Sequence, residues 1–515
     1  MTTGAVIPPT LEEPVAEPPE FAPSRAIWPE VAVAIATFLG FCIVILLKKA
    51  QLMEPDDYAY RASIVALSEG HVALTTAQYH ALSTQVGGIA QWVQLPDGRW
   101  MSEKNPGYPF YAVFFQWIHA LRFAPLFAGA LASTSLFVAA RKWLGRWAGA
   151  LGVLFFLGSG MALAFAYRST MPTFTDASFI AAGAGALLWT LLSTEASAMK
   201  RTLIGLAGFL SLELATFMRY TDVIMLLVAC VAVIVTYKPA RLRLSMLAWW
   251  LGSVVAFGSV VLIFDTVFYG HPTKTGYANG EITFALSAII PNLKHMPELL
   301  VRSIPAIILA GAGLVWMVIR LIRTRVGARD VRSADRARRD GLVGLFLAAG
   351  WLGLWSLYMA YTWTAQMGGG HGGPGGAGGP GGIGPGGGGG SIHLIRFYVP
   401  AIGLIALLAV WFVMQLPRWL APLIAAGVVA TALGSFHTLV AGGAGGAFPG
   451  GAHGFPGFGD HGGPGTSHRG FFPFGSGHGS PPKGFTPPSG GQFPPGGGGP
   501  PSGGEFPSSG GPPGA

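Results

Sequence analysis

The chain has 515 residues, of which 51% are hydrophobic and 11% charged, too few polar side chains to clothe one large water-soluble domain. Lys and Arg outnumber Asp and Glu by 32 to 23, a net charge of +9. That excess lies between apolar runs of membrane-crossing length, which points to topology rather than to nucleic-acid binding. The two cysteines, Cys42 and Cys230, sit inside apolar runs, where a thiol behaves as a small hydrophobe, so neither a disulfide scaffold nor a cysteine metal cluster is available.

Residues 1–27 are rich in Pro and Glu and lack a positive n-region and a small-residue cleavage site. They read as a disordered cytoplasmic tail, with the first span as an uncleaved anchor. Apolar stretches come next at about 28–47, 123–140, 147–166, 177–193, 202–218, 223–236, 246–267, 303–322, 342–363, 397–414 and 420–440, most of them near the ~20 residues that a bilayer-crossing helix needs. The expected fold is therefore an all-α polytopic membrane protein of about eleven transmembrane helices, with its membrane domain at 28–440. Arg219, Tyr220, Thr221 and Asp222 split one long hydrophobic block into two of these spans.

With the N-terminus inside, the inner segments hold 18 of the 32 basic residues, and eight Arg fall within residues 320–339. The outer segments hold the rest over about three times the length, so the positive-inside rule supports this orientation. The arginine-rich loop reads as a solvated topogenic segment that also meets anionic headgroups, not as a nucleic-acid site. The protein is expected in the cell membrane, N-terminus cytoplasmic and C-terminal tail extracytoplasmic. The first outer loop, 48–122, carries most of the unusual polar residues. Within it the spacing of Ile64, Leu67, Val72, Leu74, Tyr79 and Leu82 predicts helices lying on the outer membrane surface over 60–92. Two low-complexity outer stretches, the Gly-rich insert 368–390 and the Gly/Pro/His-rich tail 441–515, read as disordered. The tail's His453, His461, His468 and His478 are irregularly spaced without a carboxylate cluster, the pattern of a flexible extension rather than a metal site.

After the first span comes Glu54-Pro55-Asp56-Asp57-Tyr58. Carboxylates this close perturb one another, and an ionised one serves as a general base or a cation ligand; equally, Asp is a favoured helix cap. Farther along, Glu103-Lys104-Asn105-Pro106-Gly107-Tyr108-Pro109 leads into the apolar run 110–118. It places Lys104 at the lipid boundary, where it can meet a phosphate headgroup or simply snorkel. Between the third and fourth spans, Arg168-Ser169-Thr170-Met171-Pro172-Thr173-Phe174-Thr175-Asp176 returns a carboxylate to the same face. A third outer element, 268–277, offers His271 and Lys274. Arg396 stands just before Phe397-Tyr398-Val399-Pro400, where an arginine facing the bundle is costly unless paired with an anion.

Each of these signals is weak alone, but all fall on one side of the membrane. Their order and sidedness resemble the GT-C membrane glycosyltransferases, in particular the branch containing aminoarabinose lipid A transferases and protein O-mannosyltransferases. The shared pattern is Pro55-Asp56-Asp57 with Tyr60, then Glu103 to Tyr108, then Asp176, then Arg396-Phe397-Tyr398-Val399-Pro400. In topology the resemblance covers about residues 28–415. It implies that Asp56 is the general base for an acceptor hydroxyl, with Asp57 at the neighbouring acidic position. It also implies that Lys104 meets a lipid-carrier phosphate, that Asp176 is a second acidic residue near the acceptor or base, and that Arg396 faces the donor. Asn105-Pro106-Gly107 departs from the family's commoner double proline, and the Gly-rich insert directly precedes Arg396.

The physical chemistry agrees with this reading. A sugar on a polyprenyl phosphate needs a boundary cavity, cations for the departing phosphate and a carboxylate to take the acceptor proton. Lys104 and Arg396, with Arg168 or Arg219, would supply the cations. Tyr60, Tyr108, His271 and Lys274 are candidate substrate contacts. A divalent cation at Asp56 or Asp57 stays open, since the cluster has no diagnostic metal spacing. The acceptor, whether lipid, glycan or protein, is not specified. The rival is a polytopic transporter or lipid-linked-sugar flippase, which would instead place its ionisable residues at the bilayer midplane and show two similar halves.

Overall fold

The computed structural model describes residues 28–47, 55–237, 240–277, 283–327, 331–368 and 394–444. The segment 1–27, nearly all of the Gly-rich insert and residues 445–515 lie outside the described residues, so the disorder expected of them stays an expectation.

All eleven apolar runs are helical, and the chain is an all-α polytopic membrane protein. Among the described residues, eight helices are long and apolar enough to cross a bilayer by themselves. These include α1 (Trp28–Leu47), α5 (Ala124–Leu144, extended by a preceding short turn), α8 (Thr173–Leu192), α9 (Ala198–Met218) and α11 (Ala240–Tyr269). They also include most of α13 (Ala306–Gly327), of α14 (Val331–Met359) and of the last helix, α17 (Leu420–Ala444). The run at 147–166 is a bent helix pair, α6 (Ala148–Leu157) and α7 (Gly160–Tyr167), with 58° between its halves. The break has a local cause: Gly158 ends the first helix, and the Ser159 hydroxyl accepts from the Ala162 N–H at 3.0 Å to start the second, as an N-cap serine does. The remaining two are shorter apolar helices, α10 (Val223–Thr236) and α16 (Ile402–Val413). The chain breaks between α9 and α10 over residues 219–222, where the polar run interrupts hydrophobicity.

The helices sort by burial into an inner and an outer set. Eleven of the twelve residues of α16 and all eight of α7 are buried, and α6 and α8 are mostly so, so these helices form the centre. By contrast α1, α11, α13 and α17 expose Ile35, Leu39, Val255, Ile263, Ile308, Val315 and Leu423, an apolar exterior of the kind that faces lipid tails. Small residues let the central helices approach closely. A Cβ on Gly183 of α8 would stand 2.7 Å from Leu212 Cγ and 2.8 Å from the Gly208 carbonyl of α9.

Residues 55–102, within the stretch expected as the first outer loop, form helices α2 (Pro55–Ser68) and α3 (Thr76–Val86) where the apolar spacing predicts helices, and then depart from it. A two-stranded antiparallel hairpin, β1 (Trp92–Gln94) and β2 (Trp100–Ser102), pairs Val93 with Met101. It turns at Pro96-Asp97-Gly98, where Gly98 has φ +83° and a side chain would be strained. The hairpin delivers Glu103 and Lys104 back onto the bundle, ahead of α4 (Gly107–Trp117). Asn105 donates to the Met218 carbonyl at 3.3 Å, and a Cβ on Gly107 would meet Met218 N at 2.7 Å. Asn105-Pro106-Gly107, the departure from the double-proline pattern, is thus the seat of α4 on the end of α9. A further helix, α12 (Ile289–Ser303), precedes α13, and α15 (Thr362–Gly368) comes after α14.

Polar side chains collect at two ends of the bundle. At one end Glu30 pairs with Arg146 at 2.7 Å, Lys142 with Glu195, and Asp340 accepts from Trp143 Nε1 at 3.0 Å and Trp411 Nε1 at 3.4 Å. At the other end lie Asp56, Asp57, Lys104, Arg168, Asp176, Arg219 and Arg396.

Widening the α8–α9 contact should be costly. Gly183→Val is expected to lower thermal stability in detergent by about 1–3 kcal/mol through overpacking, whereas Gly252→Ala on α11, with nothing within 4 Å of the added Cβ, should leave the unfolding midpoint unchanged.

Candidate active site

The site begins in the first turn of α2. Asp56 and Asp57 occupy its N-terminal turn, where the exposed N–H groups and helix dipole favour negative charge. Neighbours along a helix point about 100° apart, so consecutive residues do not face the same partners. Asp56 turns to the outer cluster and Asp57 to the bundle interior.

Asp56 lies between two cations. Its Oδ1 is 3.3 Å from Lys104 Nζ and its Oδ2 is 2.7 Å from Arg396 Nη1. The side chains are 13%, 7% and 13% exposed in the order Asp56, Lys104, Arg396, so the group is nearly closed but not sealed. Lys104 also meets Glu103 at 3.3 Å and sits 4.8 Å from the Tyr277 ring centroid. Burial alone would lower the Lys104 ammonium, but the Asp56 carboxylate, then Tyr277 and Glu103, outweigh it and hold it above its ordinary value, keeping a full positive charge at the site. Arg396 is flanked by aromatic faces, its guanidinium carbon 4.8 Å from the Phe397 centroid and 5.6 Å from that of Trp363, a setting that stabilises a cation.

Asp57 belongs to a closed internal pair. Arg168 donates to both its oxygens, with Nε at 3.4 Å from Oδ1, and Thr170 Oγ1 donates to Oδ1 at 2.9 Å. Both side chains of the ion pair are fully covered. This places Arg168, predicted as a phosphate cation, and Asp57, predicted beside the base, in a contact that ties α2 to the 168–172 turn. Their geometry is that of a strut under Asp56.

Behind Arg396 is a second charged layer. Arg219, at the end of α9, donates to the Arg396 carbonyl at 3.3 Å and to Thr173 Oγ1 at 3.5 Å, and its Nε is 3.5 Å from Asp176 Oδ2. Asp176 is buried in the first turn of α8 and faces Asp222, buried at the start of α10. Asp222 is absent from the sequence prediction: of residues 219–222, which interrupt the hydrophobic block, only Arg219 is given a role there.

The tyrosines divide. Tyr60, one turn after Asp56, is buried edge-on to Tyr108 with centroids 5.9 Å apart. Burial, then the nearby Tyr277, pushes its phenol up. Tyr108 donates to the Ser169 carbonyl, bracing α4 against the same turn that holds Asp57. His271 and Lys274 are exposed, and His271 Nδ1 bonds only with Thr273 of its own loop among the described contacts. The loop instead brings Tyr277, missed in the sequence, onto Lys104. It is fixed there by the Tyr269 hydroxyl donating to the Ser102 carbonyl at 2.9 Å.

A divalent cation does not fit the first carboxylates. Asp56 is engaged by Lys104 and Arg396 and Asp57 by Arg168 and Thr170. Among the described residues no three His, Cys, Asp or Glu side chains cluster as a metal site. A cavity of about 80 Å³ lies elsewhere, between α8, α10 and α14, lined mostly by apolar residues such as Leu188, Val233 and Leu347.

No family model and no curated protein matches the chain. Among solved structures it is similar to the crystal structure of ArnT from Cupriavidus metallidurans bound to undecaprenyl phosphate, with 15% identity, a TM-score of 0.43, and coverage of 78% of this chain and 63% of that one. It is also similar to the Archaeoglobus fulgidus oligosaccharyltransferase in its apo form, with 10% identity, a TM-score of 0.45 and coverage of 82% and 56%. A third is AglB from the same archaeon in complex with an inhibitory peptide and a dolichol-phosphate, with 9% identity, a TM-score of 0.46 and coverage of 81% and 56%. These are GT-C glycosyltransferases. The chain spans less than two thirds of each, and at such scores the likeness decides nothing about activity.

The closed pair gives a stability test. Asp57→Ala leaves Arg168 charged and buried without its partner, and is expected to cost about 3–5 kcal/mol, read as a lowered unfolding midpoint. Asp57→Asn, which can still accept from Thr170, should cost less.

Proposed function

We propose that this protein is a membrane glycosyltransferase that moves a sugar from a polyprenyl-phosphate donor to an acceptor hydroxyl at the outer face of the cell membrane, with inversion at the anomeric carbon. The observation that carries the proposal is Asp56 held between Lys104 and Arg396 at the end of the bundle where the predicted outer loops meet. A carboxylate and two cations within one small, nearly water-free space are the groups that such a transfer needs.

The resting ion pairs suggest how the site is armed. A donor phosphate competes with Asp56 for the same two cations. As Lys104 and Arg396 turn to the phosphate oxygens, the Asp56 oxygens are released to accept the proton of an acceptor hydroxyl. The hydroxyl oxygen then bonds to the anomeric carbon as the bond from that carbon to the phosphate oxygen breaks, and the developing charge falls on phosphate oxygens already facing Lys104 and Arg396. Attack from the face opposite the phosphate inverts the centre. Base catalysis by Asp56 would contribute about 10²–10⁴ in rate, and preorganised cations in a low-dielectric pocket a comparable or larger share. Asp57, Arg168 and Tyr108 keep α2 and α4 in register with this centre, and Tyr60 and Tyr277 shield it from water. The gathering of charge at the bundle ends favours transfer over the transporter or flippase reading, in which ionisable groups line a path through the midplane.

The test is release of free polyprenyl phosphate from a panel of polyprenyl-phosphate sugars by the purified protein. One donor should be turned over, and Asp56→Asn should reduce release at least tenfold, about 1.4 kcal/mol or more of barrier, without unfolding the protein. Release from no donor by folded wild type, or retention of activity by Asp56→Asn, overturns the assignment. Lys104→Ala and Arg396→Ala should each weaken donor binding. Removal of residues 445–515 should leave release unchanged, since every group named above precedes residue 400.

A further inference from the structure

The Asp176–Asp222 pair is a cluster of buried titratable groups beside the candidate site that the transfer chemistry does not use. Both residues are fully buried, and their carboxyl groups lie within hydrogen-bonding reach of each other. Yet none of their four oxygens receives a hydrogen bond from an N–H or hydroxyl of any described residue. The charged and titratable groups around them are few. Arg219 Nε stands 3.5 Å from Asp176 Oδ2, Tyr358 of α14 bonds with Thr221 beside Asp222, and Tyr60 of α2 is near Arg219.

Two ionised carboxylates facing each other in a buried space repel and leave strong acceptors unanswered. One proton between them answers both objections: it supplies the missing donor, and it leaves one negative charge opposite one guanidinium. The neutral cluster then holds Arg219, whose other nitrogens donate to Thr173 Oγ1 and to the Arg396 carbonyl. We propose that Asp222, through a proton it shares with Asp176, is a positioning residue that fixes Arg219 against the Arg396 backbone and thereby sets the Arg396 guanidinium on Asp56. The residue touches no substrate; it acts through Asp176, Arg219 and the Arg396 carbonyl. The role rests on the transferase reading of Asp56 and Arg396, whereas the shared proton does not.

Two measurements on the full-length protein separate these parts. Infrared spectra of detergent-purified wild type at neutral pH should contain the C=O stretch of a protonated carboxyl that both Asp222→Asn and Asp176→Asn remove. A difference spectrum without that loss overturns the shared proton, whatever the activity. In the polyprenyl-phosphate release assay, Asp222→Asn, whose amide can donate to Asp176 as the protonated carboxyl does, should stay within about twofold of wild type, while Asp222→Ala should fall about tenfold or more. Equal activity of the two variants, high or low, overturns the positioning role. If the alanine variant does not fold, a large loss in the asparagine variant overturns it by itself. If wild type turns over no donor, the transferase reading fails while the infrared result still decides the proton.

Discussion

The fold hangs on the cost of putting charge inside a helical bundle. An ion taken out of water costs several kcal/mol, and only a partner in good geometry offsets it. This chain buries Asp56, Asp57, Lys104, Arg168, Asp176 and Asp222 at one end, so the loops of that end have to converge until each charge is answered. Asp57 with Arg168 fixes α2 to the turn before α8, Asp56 fixes α2 to Lys104 and to Arg396, and Arg219 fixes the end of α9 to α8 and to the approach to α16. Five separate stretches of sequence are held at one point by their need for counter-charges. At the opposite end Glu30, Arg146 and Asp340 with Trp143 and Trp411 do the same for the other set of turns.

The helices between these ends need much less specification. Their outward faces are apolar and interchangeable in chemistry, while their inward faces are small where two backbones approach, as at Gly183 against Gly208. The consequence is a division of labour along each helix: the middle supplies packing and the termini supply identity. The bent helix pair α6–α7 fits the same scheme, since its bend occurs between two short apolar pieces that keep their burial on both sides of Ser159.

Much of this is legible in the sequence because the bilayer is a strict reader of length and polarity. Eleven apolar runs are helices, and the break at 219–222 falls where four polar residues interrupt the run. Counting spans predicts Asp56, Lys104, Asp176 and Arg396 on one side; in the structure Asp56 meets Lys104 and Arg396, while Asp176 meets Arg219. Effects that leave hydropathy unchanged are not legible. The bend at Gly158 and Ser159 lies in a continuous apolar run. The hairpin at 92–102 is too short for its alternation to stand out, although Pro96-Asp97-Gly98 is a turn signal. Asp222 is visible only as an interruption, because its partner is 46 residues away in sequence and nothing local marks a carboxyl pair. Arg168 reads as a phosphate cation from its charge and its side of the membrane; only the three-dimensional arrangement shows that Asp57 occupies it. His271 and Lys274 have the right chemistry on the right loop, and Tyr277, three residues on from Lys274, is the one that reaches the centre.

The fixing of Arg396 has a further consequence for the glycine-rich stretch that precedes it. Leu394 and Ile395 are buried, the Arg396 carbonyl accepts from Arg219, and the Tyr398 carbonyl accepts from Trp355 Nε1 at 3.1 Å. The position of this arginine is therefore set by the residues on its C-terminal side and by its spatial neighbours, not by the stretch of chain leading in. The contacts that fix Arg396 are thus made by Arg219 of α9 and Trp355 of α14, elements far from it in sequence.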